Sequence, residues 1–370
     1  MPHDPYQALY IHLPFCKRRC IYCDFYTHAV DPDSPVISEY VDRIVLDLRR
    51  KAKEGELGQI KTIYLGGGTP SFLGSKHLTK LLYTIGLSVN LTPQVEFTME
   101  ANPDSLTPEL VRDVYALGVN RLSIGVQSFD DQLLSTLGRV HDSMRAKRAV
   151  ADARERFDNV SIDLMCGIPG QTAEVFQDSI SCGVDLGVSH VSIYPLTVEP
   201  HTPLHNMVVA GTLPDVDEDL EALMMAMGPN VLEPAGFHRY EVASYAKPGM
   251  ECRHNIAYWT GVPYLGLGDS AATMTQNESR RMRVQDNHVT DDLDRRQMRA
   301  EDLMMKMRMT QGVSDQEVNE AALLLPGVLK VYHDLVADGL VEHVDGRFKP
   351  TFSGWLLGNE LYGRIFELAP

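Results

Sequence analysis

The sequence predicts an α/β protein built on a parallel sheet, and three observations carry that expectation. Over roughly the first 200 residues, short strand-like runs alternate with amphipathic helical segments. The unusual stretches in that half all follow strand ends, where parallel sheets hold their ligands. From about residue 297 the pattern turns helical, which marks a smaller C-terminal unit.

The six strands are expected at Ala8–Leu13, Thr62–Leu65, Val95–Glu100, Arg121–Gln127, Val160–Met165 and His190–Pro195. Their alternation with helices leaves open a doubly wound sheet or a barrel. Val41, Ile44, Val45 and Leu48 share one face of a helix over Glu39–Lys53. Thr107 suits an N-cap, with Pro108 in the first turn and Gly118 at the stop. The next stretch is rich in Pro, Gly and His. It offers one strand, Arg239–Ala243, and a loop-like run from Gly261 to Gly268.

Further on, Ser314-Asp315-Gln316-Glu317 forms a capping box. Val328, Val331, Tyr332 and Leu335 line a second helix that ends near Asp338-Gly339. Leu340–Val344 and Arg347–Lys349 then form a hairpin about Asp345-Gly346. The expected divisions are 1–215, 216–295 and 296–370, the last a winged-helix-like module. Such modules often read DNA, but this one carries little basic charge and reads as a packing or partner surface. Methionines between Met298 and Met309 read as helix core.

The 370 residues carry a formal net charge of −16, which argues against a general nucleic-acid binder. No run of about eighteen apolar residues is present to span a bilayer. The opening MPHDPYQALY lacks the basic and apolar segments of a signal peptide. The expected location is therefore the cytoplasm, where thiols stay reduced and closely spaced cysteines read as metal ligands. Cys166, Cys182 and Cys252 are scattered and read as small buried residues.

The strongest chemical signal is Cys16-x3-Cys20-x2-Cys23, directly after the first strand. Three thiolates this close can ligate three irons of a cubane cluster and leave the fourth open to an outside ligand. A zinc site is the competing reading, with His12 or His28 pressed in as fourth ligand, and unligated thiols are another. One βα unit later comes Leu65-Gly66-Gly67-Gly68-Thr69-Pro70-Ser71, a turn that allows close backbone approach. Further strand ends supply Glu100, Gln127 and Asp163, with Arg139 following Gln127. Arginine suits a carboxylate, and acidic residues suit an ammonium or ribose hydroxyls.

The cysteine triad followed by the triple glycine resembles the radical S-adenosylmethionine (SAM) superfamily. That resemblance implies a partial (β/α)6 barrel holding a [4Fe–4S] cluster on Cys16, Cys20 and Cys23. SAM would chelate the open iron, and cluster reduction would cleave it to a 5′-deoxyadenosyl radical. Within the branch of oxygen-independent coproporphyrinogen III dehydrogenases and their relatives, the matching pocket positions are Tyr10, Tyr22, Gly67, Gly68, Thr69, Glu100, Gln127, Arg139 and Asp163.

Three features lean toward the HemW-type heme chaperones of that branch rather than the dehydrogenases. Cys23 is followed by Asp24-Phe25 without a fourth cysteine, and the chain starts just before the first strand. His254-Asn255-Ile256-Ala257-Tyr258-Trp259 matches the chaperones' His-Asn-x-x-Tyr-Trp heme motif, and Tyr240–Gly249 resembles them too. Imidazole is a good axial ligand and aromatic rings pack on a porphyrin, so the resemblance makes His254 a heme-binding candidate. One departure stands out. Asp269-Ser270-Ala271-Ala272-Thr273 lacks the histidine usual there, which puts weaker heme binding or another ligand, such as Cys252, in view. The resemblance thus implies a chaperone that passes heme to respiratory acceptor proteins, with a homodimer among its allowed forms. The alternative is a decarboxylating dehydrogenase of porphyrin biosynthesis.

Overall fold

The computed structural model describes residues 3–370. Six parallel strands lie side by side in chain order: β1 (Ala8–Leu13), β2 (Thr62–Gly67), β3 (Glu96–Ala101), β4 (Arg121–Gln127), β5 (Asn159–Cys166) and β6 (His190–Pro195). Sequential parallel neighbours joined by same-handed crossovers put every connecting helix on one face, so the sheet curls without closing. The result is the expected partial barrel, an open sheet rather than a closed one. The helices bury one stripe each; Leu78, Leu81, Leu82 and Ile85 face the core from the helix Gly74–Ser88. Thr107 caps its helix by accepting from Leu110 N, as its sequence position implied.

The middle segment is more regular than its composition suggested. Arg239–Ala243 does not form one strand. The chain forms β7 (His238–Arg239), turns, and forms β8 (Ser244–Ala246), which pairs antiparallel with β6. The run expected to be loop contains β9 (Tyr264–Leu267), parallel to β1 on its free side. Its glycines misled because Gly266 tolerates no side chain: a Cβ there would meet the Ala272 carbonyl oxygen at 2.2 Å. An antiparallel ribbon, β10 (Ala272–Gln276), β11 (Arg280–Gln285) and β12 (His288–Asp294), extends that edge and brings the whole sheet to twelve strands.

The C-terminal region has its own buried cluster around Leu303, Val318, Tyr332, Leu335 and Leu361. Ser314 and Glu317 form the capping box in full, and the helix Val328–Ala337 leads into the hairpin Val341–Val344 and Arg347–Pro350. Val313–Ser314 adds a third strand, which completes a winged-helix-like arrangement. Among the described residues, no helix is long and apolar enough to cross a membrane.

Candidate functional site

At the C-terminal ends of β1 to β5 lies a cavity of about 150 Å³. Its lining gathers the three cysteines with Tyr22, Gly67, Gly68, Thr69, Glu100, Gln127, Arg139 and Asp163, so eleven sequence-predicted residues meet in one place. Tyr10 and His254 are the predicted residues outside that lining.

The cysteine segment is held by the glycine turn. Gly68 N donates to Leu13 O and Thr69 N to Phe15 O, at 3.0 and 2.9 Å. A Cβ on Gly68 would stand 2.8 Å from the Phe15 backbone, so the close approach that needs glycine here is to the chain carrying Cys16. Gly67 has φ +109°, and its N–H donates to Glu100 Oε2 at 3.1 Å. Thr69 Oγ1 lies 3.4 Å from Cys16 Sγ. Burial pushes the Cys16 thiol up to about 11, so a thiolate there calls for cationic partners such as bound iron. His12 is committed elsewhere. Its ring nitrogens bond Tyr10 Oη and Tyr26 O, both at 2.9 Å, which removes it as a ready fourth zinc ligand.

Arg139 organises the opposite wall. It donates to Asn102 Oδ1 at 2.7 Å, Gly125 O at 2.6 Å and Cys20 Sγ at 3.4 Å. Its Nε is buried without a partner, a donor available to an incoming carboxylate. Gln127 sits at φ +67° where the register of β4 against β5 shifts, a strained backbone that turns this residue at the cavity. Burial raises the Asp163 carboxyl, with Arg121 and the Ser192 and Ser123 hydrogen bonds opposing it. Burial likewise raises Glu100, to about 7, against the opposing hydrogen bond from Tyr64. Three clustered thiols, two carboxyls suited to an ammonium and hydroxyls, and a free guanidinium N–H together fit a [4Fe–4S] cluster with SAM.

The helix that carries the His-Asn-x-x-Tyr-Trp motif, Arg253–Trp259, divides its residues between two environments. Its N-terminus rests on the buried Glu96 carboxylate, which accepts from Arg253 N and His254 N at 2.8 and 2.9 Å. His254 and Tyr258, four apart, point into the barrel. The His254 ring bonds Thr62 Oγ1 at 2.9 Å and Tyr258 Oη at 3.0 Å and is only 1% exposed. Burial holds it neutral, near 3. Both nitrogens are occupied, so this conformation offers none to a heme iron, against the expectation drawn from the motif. Asn255 and Trp259 instead face a larger cavity of about 880 Å³ between the end of β6, the helix Glu218–Leu232 and the C-terminal module. Tyr194, Met225, Arg308 and Trp355 also line it. Asp269, which opens the stretch that lacks the usual histidine, pairs with Arg43 at 2.6 Å. Cys252 is buried beside Glu96 and lines neither of these two cavities.

Residues missed from sequence are Asn102, which bridges Arg139 and Thr69, Ser123, which donates to Asp163, and Tyr64, described below. Asn102 stood before a proline at a strand end, a signal that could have marked it.

The Radical SAM superfamily profile matches residues 10–182. The chain is 35% identical to the heme chaperone HemW of Bacillus subtilis, over 96% of this chain and 98% of that one. It is 38% identical to Escherichia coli HemW, over 72% and 70% of the two chains. Escherichia coli coproporphyrinogen III oxidase, a radical SAM enzyme, shares the fold at a TM-score of 0.80 and 20% identity, over 98% of this chain and 90% of that one. The chain belongs to the radical SAM superfamily and, within it, to the family of these HemW proteins.

Proposed function

We propose that this protein is a heme chaperone that carries a [4Fe–4S] cluster and SAM in the cysteine cavity and takes heme into the larger cavity beside it. The observation that carries this reading is near end-to-end similarity to a protein named a heme chaperone, together with a cavity that gathers the three cysteines. Cys16, Cys20 and Cys23 would hold the cluster, which when bound supplies an open iron and an electron source. Gly67, Gly68, Thr69, Glu100, Gln127, Arg139 and Asp163 would orient SAM, with Tyr22 closing the wall beside Cys20. Arg139 positions that wall through Asn102 and would neutralise a carboxylate through its free Nε.

For heme, Trp259, Tyr194 and Trp355 offer aromatic faces and Arg308 a cation for a propionate, in a cavity large enough for a tetrapyrrole. Acceptor proteins that receive the heme belong to the same proposal, as do a cytoplasmic location and a homodimeric form. The test is an anaerobic heme titration of the cluster-reconstituted chain and of Trp259→Ala. Saturable one-to-one uptake, weakened at least tenfold by the substitution, is expected. Unsaturable uptake that ignores the substitution, with decarboxylated product from coproporphyrinogen on turnover, would replace this reading by the dehydrogenase.

A further inference from the structure

Glu100 reaches the SAM cavity on one side and touches the heme-motif helix on the other, through a single ring. Tyr64, on β2, donates its hydroxyl to Glu100 Oε1 at 2.8 Å. The opposite carboxylate oxygen accepts from Gly67 N, so both oxygens are fixed. The face of Tyr64 stacks on the His254 imidazole, with centroids 5.1 Å apart and planes 27° from parallel. His254 is locked in turn by Thr62 on β2 and by Tyr258 one helical turn on, whose ring packs edge-on at 4.9 Å. The backbone of His254 is pinned to Glu96, on the same strand as Glu100. The contacts of His254 thus run to Thr62 and Tyr64 on β2, to Glu96 on β3 and to Tyr258 of its own helix, and His254 is not among the residues that line the 880 Å³ cavity with Asn255 and Trp259.

We infer that His254 is a positioning residue for SAM: it fixes the Tyr64 ring and, through it, the Glu100 carboxyl, and it does not ligate heme iron. The motif therefore has two jobs on two helix faces. His254 and Tyr258 brace the SAM pocket, while Asn255 and Trp259 face the neighbouring cavity. This deepens the functional reading above and rests on it for the identity of SAM. A packed stack with both ring nitrogens satisfied has few alternative arrangements, so loss of the imidazole frees Tyr64 to turn and releases the carboxyl.

The experiment uses the full chain with its cluster reconstituted anaerobically. It compares His254→Ala, His254→Gln, Tyr64→Phe and the His254→Ala/Tyr64→Phe double variant. SAM affinity is read by calorimetric titration, and heme by its Soret band. His254→Ala and Tyr64→Phe should each weaken SAM about tenfold, and the double variant should lose little more, because both break one connection. His254→Gln, which can still hydrogen-bond Thr62 or Tyr258, should recover part of the loss. The Soret position of hemin bound to His254→Ala should match wild type. Unchanged SAM affinity in Tyr64→Phe and His254→Gln would overturn the inference, as would additive losses in the double variant. A shifted Soret band with SAM binding intact would make His254 an iron ligand instead. Should His254→Ala not fold, Tyr64→Phe and His254→Gln decide the matter. A wild type that takes up no heme ends the chaperone reading, while the SAM titrations still decide the role of His254.

Discussion

The Tyr64 hydroxyl holds the Glu100 carboxyl at 2.8 Å from beneath the cysteine cavity, where burial has already lifted that acid to about 7. An ionised Glu100 attracts an ammonium, and a protonated one does not. SAM affinity should therefore rise with pH through a midpoint near 7, and Glu100→Gln should flatten that step. The stability effect has the opposite sign. A carboxyl raised in the folded state favours folding at low pH, and that contribution is lost as pH climbs through about 7. Calorimetric titration and thermal melts at pH 5.5 to 8.5 check both, with Glu100→Gln as control.

Arg139 is a buried donor to Asn102, Gly125 and Cys20. Arg139→Met leaves the Gly125 carbonyl and the Asn102 amide oxygen without their donor. A loss of about 3 kcal/mol in chemical denaturation is expected. SAM binding should fall further than stability alone explains, because the free Nε is removed as well.

Gly68→Ala puts a methyl 2.8 Å from the backbone of Phe15, which precedes the first cysteine. Backbone cannot swing aside as a side chain can, so a cost of about 1–3 kcal/mol is expected. The displaced segment should also hold less iron. Iron per chain after anaerobic reconstitution, compared with Gly74→Ala on the outer turn, separates this local effect from general destabilisation.

His254 is held neutral, near 3 by burial, whereas an unfolded histidine titrates near 6.5. A base depressed in the folded state contributes stability above 6.5 that is lost as pH falls toward 3. At pH 5 the loss is about 2 kcal/mol relative to neutral pH. Urea midpoints of wild type should fall faster between pH 7 and 5 than those of His254→Gln.

Much of this was legible in the sequence because it lay in local pattern. The strands Ala8–Leu13, Arg121–Gln127 and His190–Pro195 fall where alternation placed them. Eleven pocket residues were found because a parallel sheet brings strand ends together. The misses arose where distant partners decide. Tyr264–Leu267 became a strand only because β1 offered it an edge, and its glycine-rich run had hidden that pairing. Gln127 gave no hint of its positive φ, which comes from a register shift between two strands. The motif around His254 was recognised, yet only the helix's docking against Glu96, Thr62 and Tyr64 settles which way each side chain points.

The pairing of β1 with β9 joins residues about 250 positions apart, Ala8 with Tyr264 and Ile11 with Leu267. On a ribosome the strand that leads into the cysteines is made about 250 residues before its second neighbour. Until then its outer side is a bare strand edge, the kind that sticks to other chains. Assembly of the cysteine-bearing end thus waits until Tyr264–Leu267 has been made, and a transcript truncated before Tyr264 would yield a chain with all three cysteines and an unprotected first strand.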